Sequence, residues 1–193
     1  MPLQHGQAFR FCPVCGSALE SRALKTGEPM RLVCTSLTCG FVFYLDPKLA
    51  VGTIIRMPDG RIVLARRAIE PGFGRWVFPG GYVDRGEEIR TAAIREAREE
   101  AGIDIRLDGL MGIYSYPGTT AVIVVYLATW IAGELDIDDE SSEIRTFHPD
   151  DVPWDDLAFS STRDSLRDYL HQALRQAAGT RAAGEAGANV SGV

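Results

Sequence analysis

Apolar and polar residues follow two different rhythms along this chain, and the change falls near Pro47. Residues 1–46 carry no long helical period and hold every cysteine. Residues 49–57 (LAVGTIIRM) then form an extended apolar run. Pro58-Asp59-Gly60 supplies turn dihedrals and residues 61–67 (RIVLARR) return, so the pattern predicts a β-hairpin. Residues 70–83 (EPGFGRWVFPGGYV) are a loop dense in glycine and aromatics. A helix is predicted over 87–101, ended by Gly102 at its C-cap. Residues 103–116 and 119–131 read as two strands joined near Pro117-Gly118, the second rich in β-branched residues. An acidic loop at 136–143 (DIDDESSE) precedes a short strand at 144–147. Ser161, with Asp164 three residues on, signals the start of a helix running to 176. The Ala, Gly and Ser rich stretch 177–193 has no apolar period and is expected to be disordered. The reading is therefore a cysteine unit at 1–46, a main domain at 47–176 and a tail at 177–193.

The helix at 87–101 carries the chemistry. At about 100° per residue, Glu96, Glu99 and Glu100 share one stripe, which continues backward into Ile89, Ala92 and Ala93. Small apolar residues mark the packed side of a helix, so three carboxylates are expected to extend the inward face. Carboxylates placed there repel one another and lose hydration. A hard divalent cation with oxygen ligands relieves both problems. Pro79-Gly80-Gly81, just ahead, lets the backbone approach a ligand closely, and a carbonyl in that loop can add a metal ligand. The plainer reading of the same residues is a solvated acidic face with pairs such as Arg95–Glu99.

The spacing separates these readings. Gly81 is followed after five residues by Glu87, then after seven by Arg95-Glu96-Ala97, then by Glu99-Glu100 and Gly102-Ile103. This resembles the Nudix box, and Trp76-Val77-Phe78-Pro79-Gly80-Gly81 resembles the lead-in that usually precedes it. The resemblance implies an α+β fold, a Nudix α/β/α sandwich around a mixed sheet. It implies that Glu96, Glu99 and Glu100, with the Gly81 carbonyl, ligate Mg²⁺ or Mn²⁺, while Glu87 and Arg95 order the loop and helix. In this family the general base is a box glutamate or a carboxylate on a later loop, and Glu140 and Glu143 occupy that later place. An acidic surface loop explains those two equally well. Thr146 stands where the family usually has an aromatic.

The cysteines form two pairs, Cys12-Pro-Val-Cys15-Gly16 and Cys34…Cys39-Gly40. Four thiolates in glycine-followed knuckles suit tetrahedral Zn²⁺ in a closed structural site. The longer second spacing departs from a standard ribbon, and the alternatives are a redox pair at Cys12 and Cys15 or cysteines without metal. The arrangement resembles a small zinc ribbon placed before a Nudix domain. Such chains resemble enzymes that split ADP-ribose, FAD or NADH. The NADH branch carries an S-Q-P-W-P-F-P-x-S stretch after the box, whereas residues 113–119 here read IYSYPGT. The resemblance thus favours ADP-ribose or FAD, with AMP released. The alternatives are NADH or (d)NTP hydrolysis, and a catalytically weak nucleotide sensor. Candidate substrate contacts are Arg66, Trp76, Phe78, Gly80, Gly81 and Tyr116, with Arg67, Phe73, Tyr82, Tyr114 and Phe159 behind them. Aromatic faces stack on bases and arginine grips phosphate, although each aromatic is individually more often core.

Composition narrows the partners. The 193 residues carry a net charge of −6, which argues against nucleic acid. No apolar run reaches the ~20 residues of a membrane span, and the opening MPLQHGQAFRF has no signal core. A cytoplasmic location without membrane association is the expectation. Oligomeric state is not readable here, although Nudix relatives are often homodimers.

Overall fold

The computed structural model describes the backbone of residues 9–44 and 47–188, with side chains as far as Arg175. The chain divides into two compact units, Met1–Asp46 and Pro47–Val193. The first is a three-stranded antiparallel sheet, β1 (Leu19–Arg22), β2 (Arg31–Cys34) and β3 (Val42–Phe43), in that order. Its buried apolar residues among those described are Cys12, Val33 and Cys34. So small a core cannot hold a fold by burial alone.

The second unit is built on a mixed sheet ordered β6-β5-β4-β8-β7, with β9 also paired to β5. Its strands are β4 (Lys48–Arg56), β5 (Ile62–Arg67), β6 (Trp76–Val77), β7 (Asp104–Ser115), β8 (Ala121–Ala132) and β9 (Ser141–Phe147). Helix α1 (Ile89–Ala101) follows β6, and α2 (Ser160–Ala188) closes the described chain. Alternation along each strand sorts side chains between the two helices. Ile55, Val63 and Ala128 pack on Ala97 and Ala101 of α1, and Val51, Val124 and Tyr126 pack on Ala92 and Ala93. Ile54, Leu64 and Val125 face the other way and pack on Leu157 and, in α2, Leu166. Burying a side chain such as Ile54 or Ile55 contributes roughly 1.5–3 kcal/mol. The result is a helix–sheet–helix sandwich.

The expected hairpin closes only at its turn. Met57 N–H donates to Arg61 O at 2.8 Å, and Arg56 opposite Ile62 is the one β4–β5 register pair. Beyond it the strands splay, because β4 pairs in parallel with β8 over nine residues while β5 pairs with β9. The segment from Trp76 to Val83 fills the gap. It pairs first with β5 through Trp76 and Val77. It then runs along β4, where Thr53 N–H donates to Pro79 O, Val51 N–H to Gly81 O, and Val83 N–H to Leu49 O. Splaying thus presses the glycine loop against the central strand.

Two helix boundaries differ from the sequence reading. Helix α1 begins at Ile89, because Glu87 closes a turn with Asp84 ahead of it. Helix α2 extends to Ala188, well past 176. An alanine-rich stretch has high helix propensity without an apolar stripe, so periodicity alone misplaces its end. Residues 189–193 of the expected tail lie outside those described.

Candidate active site

Three pieces of chain meet at the C-terminal half of α1. The glycine loop is the first. Gly80 N–H donates to Glu100 Oε2 at 2.6 Å. A Cβ at position 80 would lie 2.2 Å from Val51 O, and one at 81 would lie 2.6 Å from both carboxylate oxygens of Glu96. At 80 the obstruction is backbone, which only glycine accommodates, whereas at 81 it is the end of the Glu96 side chain. The Gly81 carbonyl already accepts from Val51 N–H, which leaves one lone pair free for a ligand.

The helix is the second piece. Glu96 and Glu100, four residues apart, are both buried at 9% exposure. Glu99 departs from the expected inward stripe: its side chain is 56% exposed, because it sits on the flank of the row that Glu96 and Glu100 share. Arg95 ties the group together. Its Nε and Nη2 donate to the two oxygens of Glu87, both at 2.9 Å. Its Nη1 donates to Glu96 and Glu99 at 2.8 Å, and Nη2 also reaches Tyr82 O. Such a bidentate fork adds geometry as well as energy. Arg95 holds the Glu87 carboxyl down at about 2, helped by the Asp84 N–H.

The third piece is the acidic loop. Burial pushes Glu100 up to about 8, against the Gly80 N–H, and the charges of Glu96, Asp138 and Glu140 add to the rise. Burial also raises Glu96, opposed by Arg95 and reinforced by Glu99 and Glu140. Two helix carboxylates and two loop carboxylates therefore share one electrostatic neighbourhood. Glu96 and Glu100, buried beside the Gly80-Gly81 turn, are oxygen donors of the kind a hard divalent cation takes. Asp138 is absent from the sequence-derived candidates. Its signal was the DIDDE run itself, in which only Glu140 was singled out.

The other expected residues fall elsewhere. Strand β9 begins at Ser141, so Glu143 lies on it directly opposite Arg66, and its carboxylate pairs with Arg145 and Arg66. Glu140, on the loop, has no side-chain hydrogen bond or ion pair among the described residues. Arg66 also donates to Gly74 O at 2.7 Å. Trp76 is a core residue at 6% exposure, edge-on to Phe147 and flanked by the guanidinium groups of Arg66 and Arg145. Phe78, at 4%, fills the space above Gly52. Tyr116 and Tyr114 donate to Asp164 and Asp168 of α2 at 2.7 and 2.8 Å. Exposed aromatics remain at Phe73 and Tyr82, the latter with Lys48 Nζ 4.8 Å from its ring centre.

In the first unit the four cysteine sulfurs lie within 4.8 Å of one another. Cys12–Cys39 and Cys15–Cys34 are 3.7 and 3.5 Å apart. Zinc–sulfur bonds of about 2.3 Å in a tetrahedron put sulfurs roughly 3.8 Å apart, whereas a disulfide needs about 2.05 Å. The donor set fits a closed zinc site. Gly16 and Gly40, both left-handed, turn the two knuckles.

A glycine loop pressed against a helix with inward carboxylates is an arrangement that can hold a cation beside an anionic substrate. Comparisons with known proteins identify the family. Residues 46–169 match the NUDIX domain family, and residues 10–45 match the zinc ribbon described as Nudix N-terminal. The chain is 34% identical to the ADP-ribose pyrophosphatase of Methanocaldococcus jannaschii, over 66% of this chain and 75% of that protein. It is 31% identical to the NAD-capped RNA hydrolase NudC of Stutzerimonas stutzeri, over 86% of this chain but only 57% of that protein's length. A crystal structure of a NUDIX hydrolase from Nitrosomonas europaea superposes with a TM-score of 0.78 at 30% identity, covering 85% of this chain and 92% of the other. The chain belongs to the Nudix family of hydrolases and carries the family's N-terminal zinc ribbon. No helix among the described residues is long and apolar enough to cross a membrane.

Proposed function

We propose that this hydrolase splits the diphosphate linkage of a dinucleotide-like substrate, ADP-ribose or FAD, and releases AMP. The observation that carries the reading is the pair Glu96 and Glu100, buried against the Gly80-Gly81 turn. Glu96 and Glu100, with Glu99 at the rim and the Gly81 carbonyl, would hold Mg²⁺ or Mn²⁺. Bound there, the cation supplies neutralisation of the diphosphate oxygens and a more acidic water. Arg95 orients Glu96 and Glu99, and the Gly80 N–H orients Glu100. Glu140 takes the proton of the attacking water. The new bond joins the water oxygen to phosphorus, and the bond to the bridging oxygen breaks. Glu143 is less suited to this role, because two arginines occupy it. Zinc in the ribbon, with four thiolates and no open position, is structural.

The choice of substrate is supported by the name of the M. jannaschii relative and by the missing NADH-type stretch at 113–119. The NudC relatives favour a second reading, an NAD-type substrate. On that reading an RNA-borne diphosphate remains a candidate despite the acidic composition. A product-resolved screen decides between them. The chain and Glu100→Gln are incubated with Mg²⁺ and ADP-ribose, FAD, NAD, NADH, NAD-capped RNA and NTPs, and products are resolved by mass. AMP from ADP-ribose or FAD, lost in Glu100→Gln, is expected. Turnover of NAD-type substrates alone selects the second reading. No turnover of any, with nucleotide binding retained, leaves a sensor.

A further inference from the structure

The acidic loop sits where electrostatics alone would not put it. Glu134, Asp136, Asp138, Asp139 and Glu140 lie between the C-terminal end of α1 and the end of β5. A helix C-terminus carries partial negative charge, and Glu96 and Glu100 are already there. The loop is nevertheless fastened at both ends. Asp136 N–H donates to Ala101 O, a helix-end carbonyl that would otherwise lack a partner, and Ala68 N–H donates to Glu140 O at 2.6 Å. Between these anchors, Asp138 Oδ1 accepts from Glu140 N–H at 3.0 Å.

Two glycines stand where the loop leaves β8 and passes the end of α1. Gly102, the α1 cap, has no room for a Cβ, which would lie 2.9 Å from Glu134 O. Gly133, the first residue after β8, is left-handed, and a Cβ there would lie 2.7 Å from Gly102 O and 3.0 Å from Ile103 Cα. The Trp130 indole N–H donates to Gly133 O at 3.1 Å and holds the turn from the other side. The atoms that block a side chain at 133 are backbone, so they cannot swing away.

We propose that Gly133, outside the box, is a positioning residue of the cation site, and that the Gly102–Gly133 contact sets where the loop carrying Asp138 and Glu140 stands against the C-terminal end of α1, the end that bears Glu96 and Glu100. Trp130 secures the same turn. This rests on the reading of the carboxylates as cation ligands. Groups that orient metal ligands typically contribute about 10–100-fold to affinity.

The test is Mn²⁺ binding to the full chain, followed by the electron paramagnetic resonance signal of free Mn²⁺. Gly133→Ala and Asp138→Asn are each expected to weaken binding about tenfold. The double variant is expected to bind no more weakly than Gly133→Ala alone, because an already displaced Asp138 has nothing left to lose. Trp130→Phe adds no bulk and is expected to weaken binding by a few-fold, which guards against misfolding of Gly133→Ala. Gly109→Ala, where a Cβ meets nothing within 4 Å, is the control and is expected to bind like the parent. Unchanged affinity in both Gly133→Ala and Trp130→Phe would overturn the inference alone. So would two losses that multiply in the double variant. No Mn²⁺ uptake by the parent would overturn the cation reading and this inference with it.

Discussion

At the scale of single residues the site depends on close approach. A methyl at position 81 would press on both oxygens of Glu96, and a carboxylate can swing away cheaply. Gly81→Ala should therefore lower turnover at least about tenfold while leaving the thermal midpoint nearly unchanged; a fall in both together would show a folding defect instead. Asp108 offers a cleaner view of charge. Burial works to raise its carboxyl, but the Thr129 hydroxyl, Arg56 and Arg106 outweigh burial and hold it below the usual range. A carboxyl depressed in the folded state stabilises the fold above its ordinary value of about 4 and loses that contribution as pH falls through the folded value. Urea midpoints should drop more steeply from about pH 5 to about pH 3 for the parent than for Asp108→Asn. At this scale the sequence was only partly legible. Spacing singled out Glu96, Glu100, Arg95 and the two glycines, which the structure brings together. It could not show that Glu99 leans to solvent, because one stripe on a helical wheel spans both the buried row and its flank. Nor could it show that Arg66 and Glu143 neutralise each other, because that requires knowing that β5 and β9 pair.

At the scale of elements, alternation and turn chemistry located four of the six strands of the second unit and both helix starts to within a residue or two. Pairing was harder to read. Adjacent strands with a Pro-Asp-Gly turn look like a plain hairpin, yet the hydrogen bonds of β4 go to β8 and to the glycine loop. The aromatics of the lead-in were equally ambiguous. Trp76 and Phe78 could have faced a ligand or the core, and the core holds them, because Gly52 leaves a hollow that the Phe78 ring fills. That fit predicts a matched pair of variants. Gly52→Ala would put a Cβ 2.0 Å from the ring and should cost about 1–3 kcal/mol of stability. Adding Phe78→Leu should recover part of that loss in the same denaturant titration. Independent, additive losses would mean that the hollow and the ring are not matched.

At the scale of the whole molecule, two units rest on different forces. The second buries a broad apolar core on both faces of its sheet. The first buries very little, so a metal held by its four cysteines would supply its stability. Stripping zinc with a chelator under reducing conditions should abolish hydrogen-exchange protection in β2 and leave Ile54 and Ile55 in β4 protected; equal loss in both would mean that the two units unfold together. The parallel pairing of β4 with β8 has a consequence for how the chain reaches its fold. Lys48 lies beside Ala121, so the middle of the sheet joins segments distant in sequence, and closing so large a loop precedes any reward from the contact. The knuckles of the ribbon close over short distances and can take up metal while the rest of the chain is still being made. The hydrolase centre matures late, because the strand that braces the glycine loop has no neighbour on its other side until β8 has left the ribosome.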